Sequence, residues 1–166
     1  MIGKPKLEER TEQHYVGIRT QATMQELGTV IPQCIGEVAT WLDKQGVAPS
    51  GAPFTRYLII DMAAMLEIEV GFPVVSALPG DGRVTPGTIP AGRYASLIYD
   101  GTDDDIEANK VLLLWGQDQG LKWDTWYTEK GDGWGGRFEF SLTNPQDEPD
   151  QSKWQTEVAI RLADSQ

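Results

Sequence analysis

The sequence predicts an α+β fold, in which a duplicated strand–helix–strand–strand unit builds an antiparallel sheet with two main helices on one face. Residues 41–47 and 115–121 both read Trp, four residues, Gly and an aliphatic residue. Each stretch ends a predicted helix that follows a tyrosine-led strand and precedes two strand-like runs. A repeated order of elements indicates internal duplication. We therefore expect a pseudo-two-fold arrangement with a ligand cleft between the halves.

The 166 residues are enough for one domain with a sizeable core, and 40% of them are hydrophobic against 23% charged. We predict a single domain over residues 1–166, with half-repeats at about 12–80 and 82–163. The net charge of −11 disfavours direct binding to nucleic acid, because the surface would repel a phosphate backbone. A cationic ligand or a basic protein surface suits this charge better.

Cellular location is predicted from three features. Cys34 is the single cysteine, so no intrachain disulfide can form and a reducing compartment is expected. The first ten residues contain acids as well as bases and no apolar core, unlike a signal peptide. The longest purely apolar run, 111–115, is too short to cross a bilayer. We expect a cytoplasmic protein without membrane contact.

In the first half, residues 12–23 are rich in strand-forming side chains, and apolar residues then recur at helical spacing from Ile31 to Leu42. Pro32 suits the first turn of that helix and Gly46 its end. Two strands are predicted at 54–61 and 66–75. The second of these alternates strictly between apolar residues and Glu67, Glu69 and Gly71.

In the second half, a short strand at 83–85 lies between glycine- and proline-containing turns, and a longer strand follows at 93–99. Asp103, Asp104 and Asp105 favour the start of a helix that runs to about Gln119. Strands are predicted at 122–128 and 137–143, joined by a flexible glycine-rich loop at 131–136. Phe138, Phe140 and Leu142 share one face of the later strand.

The last strand of the chain carries the main candidate for a functional residue. Val158, Ile160 and Leu162 alternate with Glu157, Ala159 and Arg161, which is typical of a half-buried strand. We expect the aliphatic side chains to pack under the helices, and Glu157 and Ala159 to face the cleft. A solvent-facing glutamate is the alternative interpretation, and general burial habits favour it.

Few other residues carry chemistry. His14 and Cys34 are the only residues of their types and have no ligand-type spacing around them, so neither a metal nor a cofactor is expected. Nucleophilic catalysis would depend on His14, and no nucleophile-elbow motif is present. Aromatic residues are concentrated in the second half, where Trp123 and Tyr127 share one strand face. Aromatic walls around a carboxylate are typical of sites that hold lipophilic cations.

Four stretches together resemble a known family. They are Gly51-Ala52-Pro53-Phe54-Thr55-Arg56-Tyr57, the strand from Leu66 to Val74, the stretch Ile89-Pro90-Ala91-Gly92-Arg93-Tyr94-Ala95, and the closing Trp154-Gln155-Thr156-Glu157-Val158. In this order they resemble the GyrI-like small-molecule-binding family, the effector-binding domain of bacterial multidrug-sensing transcription activators. The resemblance implies the duplicated fold and a ligand site between the halves.

The resemblance also implies site residues. The glutamate of the closing strand, here Glu157, would pair with a cationic ligand, and aromatic residues at Tyr57, Tyr94 and Trp123 would line the pocket. The remaining candidates for ligand binding are Tyr127, Met65 and Glu69. The activators carry a DNA-binding region that this sequence lacks, so a stand-alone binding domain is expected. The glycine-rich stretch at 131–136 lengthens a connection that is usually short in the family.

Two further functions remain open. Some stand-alone relatives hydrolyse strained small electrophiles, and Glu157 would then act as the general acid or base, with Tyr57 or Tyr94 orienting the substrate. Other relatives inhibit a topoisomerase, which implies a protein partner; a homodimer is the other protein contact considered. The sequence does not decide between these functions and simple ligand binding.

Overall fold

The computed structural model describes residues 1–61 and 63–164, so Met62, Ser165 and Gln166 of the predicted domain lie outside the described residues. Ten strands and two α-helices form the described chain. The helices are α1 (Leu27–Gln45) and α2 (Asp105–Asp118). The strands are β1 (Lys6–Arg10), β2 (Gln13–Ala22), β3 (Phe54–Ile60), β4 (Leu66–Val74), β5 (Val84–Ile89), β6 (Gly92–Asp100), β7 (Thr125–Thr128), β8 (Gly131–Trp134), β9 (Arg137–Ser141) and β10 (Gln155–Arg161).

The strand order of the sheet is mirrored about its centre. The order is β1-β6-β10-β9-β3-β4-β2-β5, with β8 pairing to β3 and β7 pairing to β8. The series β2, α1, β3, β4 and the series β6, α2, β9, β10 have the same order along the chain and occupy mirrored positions, with β3 beside β9 at the centre. The predicted α+β fold with an antiparallel sheet and two helices is confirmed, whereas the half-repeat boundaries stay a prediction.

One row of side chains across six strands shows which face carries the helices. Directly paired residues project to the same face of a sheet. This row runs through Ile18, Val70, Thr55, Glu139, Val158 and Leu97. At one end, Ile18 and Val70 pack with α1, and at the other, Val158 and Leu97 pack with α2. Glu139 is the charged member of this row and lies near its middle.

The opposite face of the sheet holds a separate cluster of aromatic rings. Tyr15, Phe54, Phe138 and Tyr94 are all buried there, together with Ala159 of β10. The Phe54 ring lies edge-on to Tyr15 at 5.0 Å and to Phe138 at 5.7 Å between centroids. Both faces of the central strands are therefore buried, as expected for strands at the middle of a large sheet.

The matching helix ends form the same local structure. Gly46 and Gly120 have positive φ values of 70° and 72°, which glycine adopts at little cost. After α1, the amide of Val47 donates to the carbonyl of Leu42 at 3.1 Å. After α2, the amide of Leu121 donates in the same way to the carbonyl of Gly116 at 2.9 Å. The shared Trp-to-Gly spacing thus reflects the same way of ending each helix.

Strand β1 was not predicted, and two predicted segments differ from the structure. The first helix begins at Leu27, so Pro32 lies inside it and not at its first position. The proline is tolerated because the missing N–H affects the carbonyl of Gly28, an exposed residue. The loop predicted at 131–136 contains strand β8. A side chain at Gly131 would meet the carbonyl oxygen of Ile60 at 2.5 Å, so glycine is what lets this strand lie against β3.

Among the described residues, neither helix is long and apolar enough to cross a membrane.

Candidate functional site

A cavity of about 470 Å³ lies on the helix side of the sheet, between the start of α1 and the length of α2. Its floor is formed by strands from both halves, which agrees with a site between the halves. The lining residues are Met24, Leu27, Tyr57, Ile60, Leu66, Asp105, Ile106, Asn109, Lys110, Leu113, Leu114, Asp132, Trp134, Arg137 and Glu139. Most of the wall is aliphatic or aromatic, so the cavity suits an apolar molecule.

An irregularity in β3 shapes the floor. Residues Phe54 to Arg56 pair with β9, whereas Ile59 and Ile60 pair with β8. Between these two partners, the pairing of β3 with β4 shifts register after Tyr57, which is typical of a β-bulge. Tyr57 therefore stands where β3 changes its neighbour. Its side chain lines the cavity at this point.

Glu139 is one of the acidic residues that line the cavity. It lies on β9, beside Thr55 on one side and Val158 on the other, in the row that faces the helices. The hydroxyl of Tyr99 donates to its carboxylate Oε1 at 3.3 Å. The hydroxyl of Tyr57 interacts with the same carboxyl. No Lys or Arg nitrogen among the described residues approaches it within 4.0 Å.

Burial raises the pKa of the Glu139 carboxyl above its ordinary value, and the negative charge of Asp105 adds to the rise. Hydrogen bonds from Tyr57 and Tyr99, with the charge of Arg137, act in the opposite direction. Burial and the nearby Glu139 also raise the pKa of Tyr57 and of Tyr99, so both phenols stay protonated donors. Among the described residues, the carboxyl therefore has hydrogen-bond donors but no ion pair.

Arg137 lies two residues before Glu139 on the same strand face. Its guanidinium carbon lies 4.3 Å from the centroid of the Trp134 ring, in cation–π contact. Its Nη2 donates to Oδ1 of Asn109 at 3.1 Å, and Asn109 in turn donates to the carbonyl of Asp105 at 2.8 Å. Burial lowers the pKa of Arg137. The indole Nε1 of Trp134 is buried without an acceptor in the described part of the chain.

This arrangement provides binding groups and one proton-transfer group. The walls offer apolar area, Glu139 offers a carboxyl, and Arg137 with Lys110 offers hydrogen-bond donors. Over residues 1–61 and 63–164, no group of three or more His, Cys, Asp or Glu side chains is placed to hold a metal ion.

The structure corrects the prediction that Glu157 faces the cleft. Glu157 pairs with Phe140 and so projects to the face opposite the helices, while Val158 and Ile160 pack towards α2 as expected. Its carboxylate Oε1 lies 3.1 Å from Nη2 of Arg10, and its side chain is 15% exposed. Ala159 lies in the aromatic cluster on that same face. The prediction separated the two faces of this strand correctly but expected the cleft on the face opposite the helices, whereas the cavity lies on the helix side.

Two further candidates lie on that opposite face. Tyr94 is 1% exposed and donates to the carbonyl of Pro90 at 2.6 Å. Glu69 accepts a hydrogen bond from the hydroxyl of Tyr15 at 2.8 Å. Neither residue lines the cavity. Any part that they take in binding stays a prediction.

The other candidates lie on the helix side or near it. Tyr57 lines the cavity. Trp123 packs against α2, where its ring leaves no room for a side chain at Gly116. Met65 lines a separate cleft that includes Glu67 and Lys130. Tyr127 is 82% exposed on β7, beside Asp132 of the next strand and so on the same face as that cavity residue.

Sequence reasoning missed Glu139, Arg137 and Trp134. A signal for the first two was present, because Arg137 and Glu139 alternate with Phe138 and Phe140 on β9. Two charged residues on one face of a central strand need buried partners or a cavity. The pattern was interpreted only for its apolar side.

Comparison with known proteins agrees with the fold. The family model described as "GyrI-like small molecule binding domain" matches residues 3–163. The crystal structure of the EcmrR C-terminal domain aligns with a TM-score of 0.76 at 19% identity, covering 99% of each chain. The EcmrR chain in a cryo-EM structure of an EcmrR–DNA complex aligns with a TM-score of 0.75 at 18% identity. The alignment covers 97% of this chain and 57% of the EcmrR chain.

The structure of SAV2435 bound to tetraphenylphosphonium also aligns, with a TM-score of 0.63 at 12% identity, covering 96% of this chain and 94% of that one. A search of curated proteins finds no match. At these identities the structural neighbours show the fold alone. The family match covers nearly the whole sequence, and the chain therefore belongs to the GyrI-like small-molecule-binding domain family.

Proposed function

We propose that this chain binds a small, mostly apolar organic cation in the central cavity, with Glu139 as the counter-charge. The observation that carries the proposal is a carboxyl enclosed by an apolar cavity and hydrogen-bonded by tyrosines, with no cation of the protein within ion-pair distance among the described residues. A buried charge without a partner is costly. A bound cation would supply the missing partner.

The shape of the cavity supports an apolar ligand. Leu27, Leu66, Leu113 and Leu114 contribute its aliphatic wall, and Tyr57 adds an aromatic surface beside the carboxyl. An apolar molecule gains free energy by leaving water for such walls, at about 25 cal/mol per Å² of buried apolar area. The tyrosine face also attracts positive charge through its quadrupole. Apolar area would supply affinity and Glu139 would select the charge.

The structural neighbours suggest a suitable probe. SAV2435 has been seen with tetraphenylphosphonium, a lipophilic cation without hydrogen-bond donors. The EcmrR chain contains a domain of this fold within a longer sequence, and one structure shows EcmrR in a complex with DNA. From these neighbours we take the ligand class, a lipophilic cation, for the present chain. We propose that this chain serves as an effector-binding domain.

Titration with tetraphenylphosphonium, followed by tryptophan fluorescence and calorimetry, tests the proposal. We expect saturable binding to the wild-type protein with one site per chain. Binding should weaken strongly in Glu139→Gln, which keeps the shape of the side chain and removes its charge. Glu157→Gln is the matched control, because it removes the same charge from the opposite face of the sheet. Equal binding by the wild type and Glu139→Gln would refute the assignment of Glu139.

Hydrolysis is a second candidate, and the raised pKa of Glu139 is the observation that favours it. A carboxyl shielded from water can serve as a general acid or base near neutral pH. In that case a strained electrophile incubated with the protein would be consumed over many turnovers, and Glu139→Gln would abolish turnover. Stoichiometric binding with no product would leave ligand capture as the function.

A further inference from the structure

We infer that the ligand carries a hydrogen-bond acceptor or anionic group in addition to its positive charge, and that Arg137 holds this group. The inference rests on the proposed function and narrows its ligand class to apolar molecules of mixed charge. Glu139 and Arg137 would form two anchors of opposite sign in one cavity.

The two anchors are placed side by side. Arg137 and Glu139 are separated by one residue on β9, so both side chains leave the same face of the strand, about 7 Å apart along it. They line the same cavity, yet no ion pair joins them within 4.0 Å among the residues that the structure describes. The two charges act on each other only beyond ion-pair distance, so each can still form a direct pair with a ligand in the shared cavity.

The guanidinium is held in position but not saturated. Its flat face lies on the Trp134 ring at 4.3 Å, and Nη2 donates to Asn109. A guanidinium has five N–H donors in a rigid fork that matches a carboxylate or a phosphate. In the described chain, the bond to Asn109 is the one side-chain hydrogen bond recorded for it. The remaining donors are available to a group inside the cavity.

The surroundings of Arg137 favour an acceptor from outside the protein. Asn109, which accepts its Nη2 bond, is neutral, and the acids whose charges act on Arg137 are Glu139 and Asp132. Burial lowers the pKa of Arg137, and the charges of these two acids act in the opposite direction. A ligand with only a positive charge would gain attraction from Glu139 and lose part of it to repulsion from Arg137. A ligand that also carries a carboxylate turns that repulsion into attraction.

A pair of fluorescent dyes provides the test. Rhodamine 110 has a cationic ring system and a free carboxylate, whereas rhodamine 123 is its methyl ester and is only cationic. Fluorescence anisotropy would give the dissociation constant of each dye for the wild-type protein, Glu139→Gln, Arg137→Gln, Arg137→Lys and Arg83→Gln. Arg83 is an exposed arginine paired with Glu37 in a separate cleft, so its variant removes the same charge away from the cavity.

We expect the wild-type protein and Arg83→Gln to bind rhodamine 110 about tenfold more tightly than rhodamine 123, as one charge-assisted hydrogen bond to a buried group would give. Arg137→Gln should abolish or reverse this preference, and Arg137→Lys should keep part of it. Melting temperatures would confirm that each variant is folded, and the lysine variant keeps the test valid if the glutamine variant is not.

Either of two results would overturn the inference: equal affinity of the wild type for both dyes, or a preference that Arg137→Gln and Arg137→Lys both leave unchanged. If neither dye binds saturably to a wild-type protein that binds tetraphenylphosphonium, the inference is refuted and the proposed function stands; if tetraphenylphosphonium does not bind either, the proposed function is refuted as well. Binding of both dyes that depends on Glu139 but not on Arg137 would separate the two claims, because the function would stand and the second anchor would not.

Discussion

The two faces of the central sheet each hold a glutamate near aromatic rings, and the two residues differ in what neutralises them. Glu157 lies 3.1 Å from Nη2 of Arg10, whose guanidinium lies over the Tyr94 ring at 5.4 Å. Glu139 has hydroxyl donors from Tyr57 and Tyr99 but no cation within ion-pair distance in the described chain. The first is a completed structural pair, while the second opens into a cavity.

This difference distinguishes a candidate binding residue from a structural residue in such a fold. Burial among aromatic side chains is common to both glutamates, so it does not separate structure from function. What separates them is the missing counter-charge next to empty volume. Proteins rarely leave a buried charge unpaired unless a ligand, a metal or a proton completes it. The predictions below test this contrast.

The largest effect is expected from exchanging the carboxylate for an amide on each face. Glu139→Gln should weaken binding of tetraphenylphosphonium by about 100-fold, because losing one member of a buried charge pair costs about 2–5 kcal/mol. Glu157→Gln should change the dissociation constant by less than about twofold. Isothermal titration calorimetry at pH 7 measures both. A larger loss in Glu157→Gln than in Glu139→Gln would reverse our assignment of the faces.

A smaller effect is expected from removing a tyrosine hydroxyl on each face. Tyr57→Phe should weaken cation binding about tenfold, since the Glu139 carboxylate loses a hydrogen bond of the charged type. Tyr94→Phe removes the bond to Pro90 on the opposite face and should leave the affinity unchanged while lowering stability by about 1 kcal/mol. Calorimetry and urea unfolding on the same samples distinguish these outcomes. The contrast fails if Tyr94→Phe alters affinity as much as Tyr57→Phe.

The smallest effect concerns the stability of the free protein. Folding raises the pKa of Glu139, so the folded protein favours the neutral acid. The ionised carboxylate therefore destabilises the folded state. This penalty begins above the pKa of the unfolded chain and is complete once the pH exceeds the pKa of the folded protein. At pH 7, Glu139→Gln should therefore raise the free energy of unfolding by about 1 kcal/mol. The gain should vanish at pH values below about 4, where the acid is neutral in both states.

The matched variant should have the opposite sign. Glu157→Gln breaks the pair with Arg10 and should lower the free energy of unfolding by about 1–2 kcal/mol at pH 7. Urea unfolding curves at two pH values measure both variants. A destabilised Glu139→Gln protein at pH 7 would indicate that Glu139 already has a satisfactory partner in the free protein.

The sequence was sufficient for the fold because its signals are local. Strict alternation predicted β4 and β10, and the two Trp-to-Gly helix ends predicted the repeated order of elements. Strand β8 was not predicted, since its glycines are typical of a loop. They are needed in the strand because the backbone of β3 lies too close for a side chain at Gly131.

The site was less predictable than the fold, because strand alternation assigns side chains to two faces without saying which face borders a cavity. On β9, Phe138 and Phe140 indicated a buried face, and they do pack in the aromatic cluster. No prediction was made for the opposite side chains, Arg137 and Glu139. They are covered, because α1 and α2 enclose a cavity on that side. The packing of the helices, which strand alternation does not predict, determines which face borders the cavity.

The most direct test of the central claim is the number of protons released when tetraphenylphosphonium binds. The cation itself does not titrate, so any release reports ionisation of the protein. Calorimetric titrations in two buffers of different ionisation enthalpy, over a range of pH, give this number for the wild type and Glu139→Gln. At pH values below the raised pKa of Glu139, we predict that binding to the wild type releases up to one proton more than binding to Glu139→Gln. Tight binding with the same proton count in both proteins would contradict Glu139 as the counter-charge.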